Sequence, residues 1–199
     1  TMRAVKTRHF LQLVLLSALW GASFLFIRVA SPVLGPNVMA ALRIGLATLT
    51  LMGIMRWAGE PWPWRHWREL LGLGTLTVAA PFLLYAWAAL HLPAGYSSLL
   101  NTMAVPFGVI AAAWMKEDTL SARKWAGCLC GFAGVALIVQ LGPVEPNSAV
   151  LLAAGACVTA AACYGLSLTW MKRATKRMSP LSIAAGIHAA ALVLLLPGA

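Results

Sequence analysis

Apolar residues along this chain come in runs of about 20, the length an α-helix needs to cross the hydrocarbon core of a bilayer. Seven such runs are predicted to be membrane helices: Phe10–Val29, Val38–Trp57, Leu70–Leu90, Gly95–Met115, Trp125–Leu141, Ala149–Met171 and Leu181–Leu196. The polar and helix-breaking positions fall between them. The first run follows Arg3, Lys6 and Arg8, as the core of a signal peptide would. It is longer than such a core, however, and Pro32 directly follows the only cleavage-like triplet, Val29-Ala30-Ser31, so it is expected to remain as a helix. Pro32 and Pro36 predict a turn from Val29 to Asn37. Pro81 and Pro106 lie inside the third and fourth runs, where each removes a backbone donor and should bend or loosen its helix.

The basic residues give the helices a direction. They gather in the N-terminal tail and in the second loop (Arg56, Arg65, Arg68), the fourth (Lys116, Arg123, Lys124) and the sixth (Lys172, Arg173, Lys176, Arg177). The first, third and fifth loops have none, and only Arg28 and Arg43 fall within the spans. Lysine and arginine concentrated on alternate short loops mark the cytoplasmic side, so the N-terminus is expected to be cytoplasmic. Trp57, Trp62, Trp64 and Trp67 around the second loop fit an aromatic belt at the headgroups on that side.

A weak internal echo adds a repeat. The stretch from Ser17 to Arg43 has a copy that begins at Ala161: Gly21 matches Gly165, Ser23 matches Ser167, and Pro36 matches Pro180. Trp20 becomes Tyr164 and Arg28 becomes Lys172. The first copy starts in a helix leaving the cytoplasm and the second in a helix entering from outside. A five-helix unit over residues 1–142 is therefore expected, followed over 143–199 by the start of an inverted second unit. Inverted repeats are a recurring plan of secondary transporters. The chain starts at Thr1 without a Met and ends at Ala199 within an apolar run, which reads as a fragment lacking three further helices and part of any central cavity.

Composition agrees and removes alternatives. Hydrophobic residues make up 61% of the chain, the mean hydropathy is +0.81, and only 10% of residues are charged, which excludes an ordinary soluble domain. The net charge of +10 would fit nucleic acid if it formed one face, but it is spread over separate loops, so no nucleic-acid partner is expected. Cys128, Cys130, Cys157 and Cys163 sit in apolar runs and read as packing residues rather than disulfide or metal partners. All five carboxylates (Glu60, Glu69, Glu117, Asp118, Glu145) lie in loops. With no intramembrane acid pair, nucleophile–base spacing or metal-ligand cluster, the expectation is no enzyme activity, no metal and no cofactor. Any coupling ion would act through a histidine or through helices beyond this stretch, or transport is facilitative.

These residues resemble the drug/metabolite transporter superfamily, in its ten-helix EamA-type branch. The resemblance is carried by A-L-W-G-A-S-F in the first helix, by Pro36–Arg43, and by A-G-Y-S-S-L-L-N-T-M-A-V-P-F with the following K-E-D-T-L-S-A-R-K-W-A-G and G-F-A-G-V-A-L. It departs from the family pattern at two places. Asp118, with Glu117 beside it, stands where a glutamate is usual ahead of the fifth helix, and Tyr164-Gly165 replaces a Trp-Ala pair. The resemblance implies an exporter of small metabolites, such as amino acids or drug-like solutes, with a central cavity lined by the first, third, fourth and sixth helices.

Polar groups inside apolar spans are costly and point to that cavity. Trp20, Arg43, Tyr85, Asn101 and Tyr164 are the expected substrate-binding residues, with Ser17, Ser98, Thr102 and His188 as further polar candidates. Two readings of Arg43 stand: it binds an anionic group of the substrate, or it packs, snorkels or pairs with backbone carbonyls. Snorkelling accounts for Arg28. Gly127, Gly131 and Gly134 form a small-residue stripe that serves either an intramolecular contact or a homo-oligomer face. The expected molecule is thus an all-α, polytopic transmembrane helix bundle of the cell inner membrane. Its partners are the lipid bilayer and a small-molecule substrate moved by alternating access. The alternative is a non-transporting membrane interaction or assembly protein on the same helical repeat.

Overall fold

The protein's structure, a computed structural model, describes residues 7–119, 121–141, 144, 145 and 147–198. Arg3 and Lys6 of the basic tail, and the expected repeat boundary at 142–143, lie outside the described residues. Every regular element among those described is helical. Six helical stretches are long and apolar enough to cross a bilayer: His9–Leu34, Pro36–Trp57, Trp64–Ala88, Ala94–Trp114, Ser148–Ala174 and Pro180–Gly198. The remaining expected segment is a 20-residue helix, Ala122–Leu141.

The first helix, α1 (Thr7–Leu34), does not stop at the expected turn. It continues past Val29 and through Pro32, and only Gly35 separates it from α2 (Pro36–Trp57). In hydrocarbon a helix satisfies its own backbone, so carrying a proline within α1 is cheaper than opening a loop there. Gly35 makes the break with φ of 78°, which glycine adopts without steric penalty, and its N–H still reaches the Ser31 carbonyl. Pro36 then opens α2 at a position where its missing N–H is no loss.

Both internal prolines of the later spans disturb their helices as expected, each differently. In the third span α3 (Trp67–Gly74) passes into a π turn, Thr75–Ala79, before α4 (Ala80–Ala88). Pro81 has no N–H for the carbonyl of Thr77, and in this wider turn the Ala80 N–H bonds Thr75 instead. The Thr75 hydroxyl donates to the Leu71 carbonyl at 2.8 Å, and the Thr77 hydroxyl to that of Leu73. In the fourth span the helix breaks outright at Thr102–Met103, one turn ahead of Pro106, dividing it into α5 (Ala94–Asn101) and α6 (Ala104–Trp114).

After α7 (Ala122–Leu141), α8 (Ser148–Ala174) is started by Asn147, whose side chain accepts the Val150 N–H at 2.9 Å. The last long helix, α9 (Pro180–Leu195), is capped in the same way by Ser179. Two apolar clusters hold the bundle. One joins α2, α3 and α9 through Ile44, Leu73, Ile183 and Ile187, while the other joins α4, α5 and α8 through Tyr85, Leu100, Ala153 and Cys157. The third span is the most enclosed, with 44% of its apolar window buried; α1 is the least, at 6%.

Of the glycine stripe on α7, Gly131 lies against Pro106 of α6, while Gly127 and Gly134 face open space. A tighter approach was not expected: α6 and α8 touch backbone to backbone at Gly108 and Gly165. Snorkelling is also not what Arg28 does. Its guanidinium donates to the carbonyl of Ala89, the residue that ends α4, so it satisfies a helix terminus.

Candidate functional site

Five spans contribute to one cavity of about 100 Å³ between α1, α2, α4, α5 and α8. Its walls are Trp20, Ser23, Phe24 and Ile27 from α1, Arg43 from α2, Phe82 and Tyr85 from α4, Asn101 from α5 and Tyr164 from α8. The structure therefore brings together all five residues singled out from the sequence. Ser17, Ser98, Thr102 and His188 are not among the lining residues. Two of those four bond within their own helices: the Thr102 hydroxyl donates to Leu99, and His188 Nδ1 lies 2.8 Å from the carbonyl of Ala184.

Helical spacing explains the walls. Trp20, Ser23, Phe24 and Ile27 follow the three-and-four pattern that keeps side chains on one face of a helix, and Phe82 and Tyr85 are three apart. The π turn just ahead of Phe82 inserts extra backbone into the third span, so it sets the angle at which both α4 rings meet the cavity. On the opposite wall, the close contact of Gly165 with Gly108 holds the α8 backbone beside Tyr164.

The rings make an aromatic box. Phe24 meets Tyr85 edge-on at 5.2 Å between centroids, and Tyr85 and Tyr164 lie nearly parallel at 6.3 Å. The Tyr85 hydroxyl donates to Asn101 Oδ1 at 2.8 Å, which leaves the Asn101 amide nitrogen as a donor. Arg43 places its guanidinium carbon 4.1 Å from the centre of the Phe82 ring, within cation–π range. Phe24 and Phe82, which complete this box, went unremarked in the sequence; their i+4 and i−3 spacing from Trp20 and Tyr85 was the available signal. Such a cavity can desolvate a small, partly apolar solute and orient it through a few polar contacts.

The model of the EamA-like transporter family matches residues 9–140. The chain belongs to the EamA-like transporter family. Two curated relatives agree, both described as uncharacterized transporters of Archaeoglobus fulgidus. One is 32% identical over 153 residues, covering 71% of this chain and 49% of its own length. The other is 21% identical over 176 residues, covering 88% of this chain and 62% of its own length. The chain thus spans about half to three fifths of the curated relatives it matches. This EamA-like protein is a multi-pass membrane protein; eight of the nine residues lining its cavity fall within the matched stretch, and Tyr164 of α8 lies beyond it.

Proposed function

We propose that this EamA-like protein is a secondary transporter that exports small metabolites, such as amino acids or drug-like solutes, by alternating access. The convergence of five spans on one aromatic cavity, with Arg43, Tyr85 and Asn101 as its polar groups, carries the reading. The proposed architecture is a pair of inverted units in the inner membrane: a first unit over 1–142 and the start of a second over 143–199, with a cytoplasmic N-terminus. Two observations support it. The family match ends at residue 140, close to the proposed boundary, and Trp20 and Tyr164, the matched aromatic pair of the two copies, face the same cavity.

Flux in vesicles containing the purified full-length protein, screened against amino acids and cationic drugs, tests the transport reading. Asn101→Ala and Tyr85→Ala are expected to weaken the affinity for a transported solute about five- to tenfold, the worth of about one hydrogen bond, without loss of membrane insertion. Unchanged affinity in both variants would move the binding site elsewhere. Absence of flux for every solute, with the protein folded and inserted, would remove the transport reading.

A further inference from the structure

Two arginines, Arg28 and Arg43, lie within the spans away from the basic face, and the bundle treats them differently. Arg28 is spent on structure, since its guanidinium bonds the carbonyl at the end of α4. Arg43 is not. Its guanidinium lies over the face of Phe82, which attracts a cation but accepts no conventional hydrogen bond from the N–H groups. Among the described residues no side chain or carbonyl accepts a hydrogen bond from Arg43, and the ion pairs there all lie on loops and helix ends at the basic face. A guanidinium keeps its charge at any accessible pH, so it cannot escape the cost of partial burial by losing a proton. Holding an unpaired charge in this position is expensive unless something that enters the cavity pairs with it.

We infer that the cavity takes a small monocarboxylate, with Arg43 on the carboxylate and the ring walls around an uncharged apolar body. This rests on the reading of the cavity as the solute site and narrows the proposed small metabolites to acids without an ammonium group, in place of amino acids. The planar fork of N–H donors matches a carboxylate in two-point contact, and the Asn101 amide nitrogen supplies a further donor. Trp20, Phe24, Ile27 and Tyr164 leave apolar surface for the remainder of the solute. The nine lining residues include one cation and no carboxylate, so an ammonium group on the solute would be desolvated next to a like charge without compensation.

The test uses four solutes of similar bulk: isovalerate, its neutral amide isovaleramide, the zwitterion valine and the cation isobutylamine. Equilibrium binding is measured on the detergent-solubilised protein by competition with radiolabelled isovalerate, and flux is measured separately in proteoliposomes. Isovalerate is expected to bind about tenfold or more tightly than isovaleramide, because the amide leaves the guanidinium unpaired. Arg43→Gln should erase that preference, and Arg43→Lys should keep the preference with weaker affinity because the two-point geometry is lost. Should Arg43→Gln fail to fold, the wild-type solute series and Arg43→Lys still decide. Equal binding of isovalerate and isovaleramide overturns the inference, as does tighter binding of valine or isobutylamine, a preference that survives in Arg43→Gln, or no binding of isovalerate. Binding without flux would remove the transport reading and keep the anion site. Flux that ignores charge would do the reverse.

Discussion

An alanine Cβ at position 165 would lie 2.6 Å from the backbone nitrogen of Gly108 and 2.6 Å from the Cβ of Phe107. Neither atom is the free end of a flexible chain, so α6 and α8 would have to separate. Gly165→Ala is expected to cost about 1–3 kcal/mol, the usual penalty of overpacking, and to lower the thermal midpoint of the solubilised protein. Gly127→Ala, with open space at its Cβ, should leave that midpoint unchanged or slightly raised, since alanine is the better helix former. Equal midpoints for the two variants would mean that the α6–α8 contact is not made. The same scale shows why part of the site was readable before the fold. Trp20, Arg43, Tyr85, Asn101 and Tyr164 stand out because each puts a polar or amphipathic group where lipid-facing sequence has none. Phe24 and Phe82 carry no such contrast, because an apolar ring in an apolar run is indistinguishable from packing.

Whole helices follow the same division between local and tertiary causes. The spans were legible because bilayer crossing is set by length and hydropathy alone, both local properties. Prolines marked where a helix would be disturbed, yet Pro32 sits inside α1, Pro81 follows a π turn and Pro106 follows a break. That choice depends on which neighbour can satisfy the freed carbonyl, and the neighbours come from distant parts of the chain. The tight α6–α8 contact was missed for the same reason: Gly108 and Gly165 are unremarkable until the two helices are placed side by side. Helix starts are more local. Asn147 accepts the Val150 N–H at 2.9 Å, and Asn147→Ala is expected to cost about 1 kcal/mol while Asn147→Asp or Asn147→Ser restores it. Urea titration of the solubilised variants checks the order; an alanine variant as stable as the parent would remove the cap from the account of α8.

Seen whole, the bundle has one charged end, where carboxylates from the earlier helices meet the connection between α8 and α9. Glu117 pairs with Arg173 at 2.5 Å, Glu69 with Arg177 at 2.5 Å, and Glu60 accepts from the hydroxyls of Ser179 and Ser182. Asp118 pairs with Lys124 at 2.6 Å. The hydrogen bond from Arg173 holds the Glu117 carboxyl below its ordinary 4.5, and the bond from Lys124 holds Asp118 below its ordinary 3.8. A carboxyl lowered by folding contributes stability above its unfolded value and loses it as pH falls through the folded one. The melting midpoint should therefore hold from about pH 7 to about pH 5 and decline below that, with a shallower decline in Glu117→Gln. The effect is expected to be small, because exposed pairs are screened by solvent and salt. An identical pH profile for Glu117→Gln and the parent would show that this pair adds nothing.

The spacing of those partners also sets a timetable. Glu69 and Arg177 are 108 residues apart, and Glu60 and Ser179 are 119 apart. Chains grow at about 5–20 residues per second, so Glu69 waits about 5–20 seconds at the membrane surface before its arginine has even been made. Throughout that interval the early helices are already threaded but their charged end is open to any passing cation or chaperone. The connection between α8 and α9 is therefore a late clasp for these carboxylates, and its synthesis marks when Glu60 and Glu69 can first meet their partners.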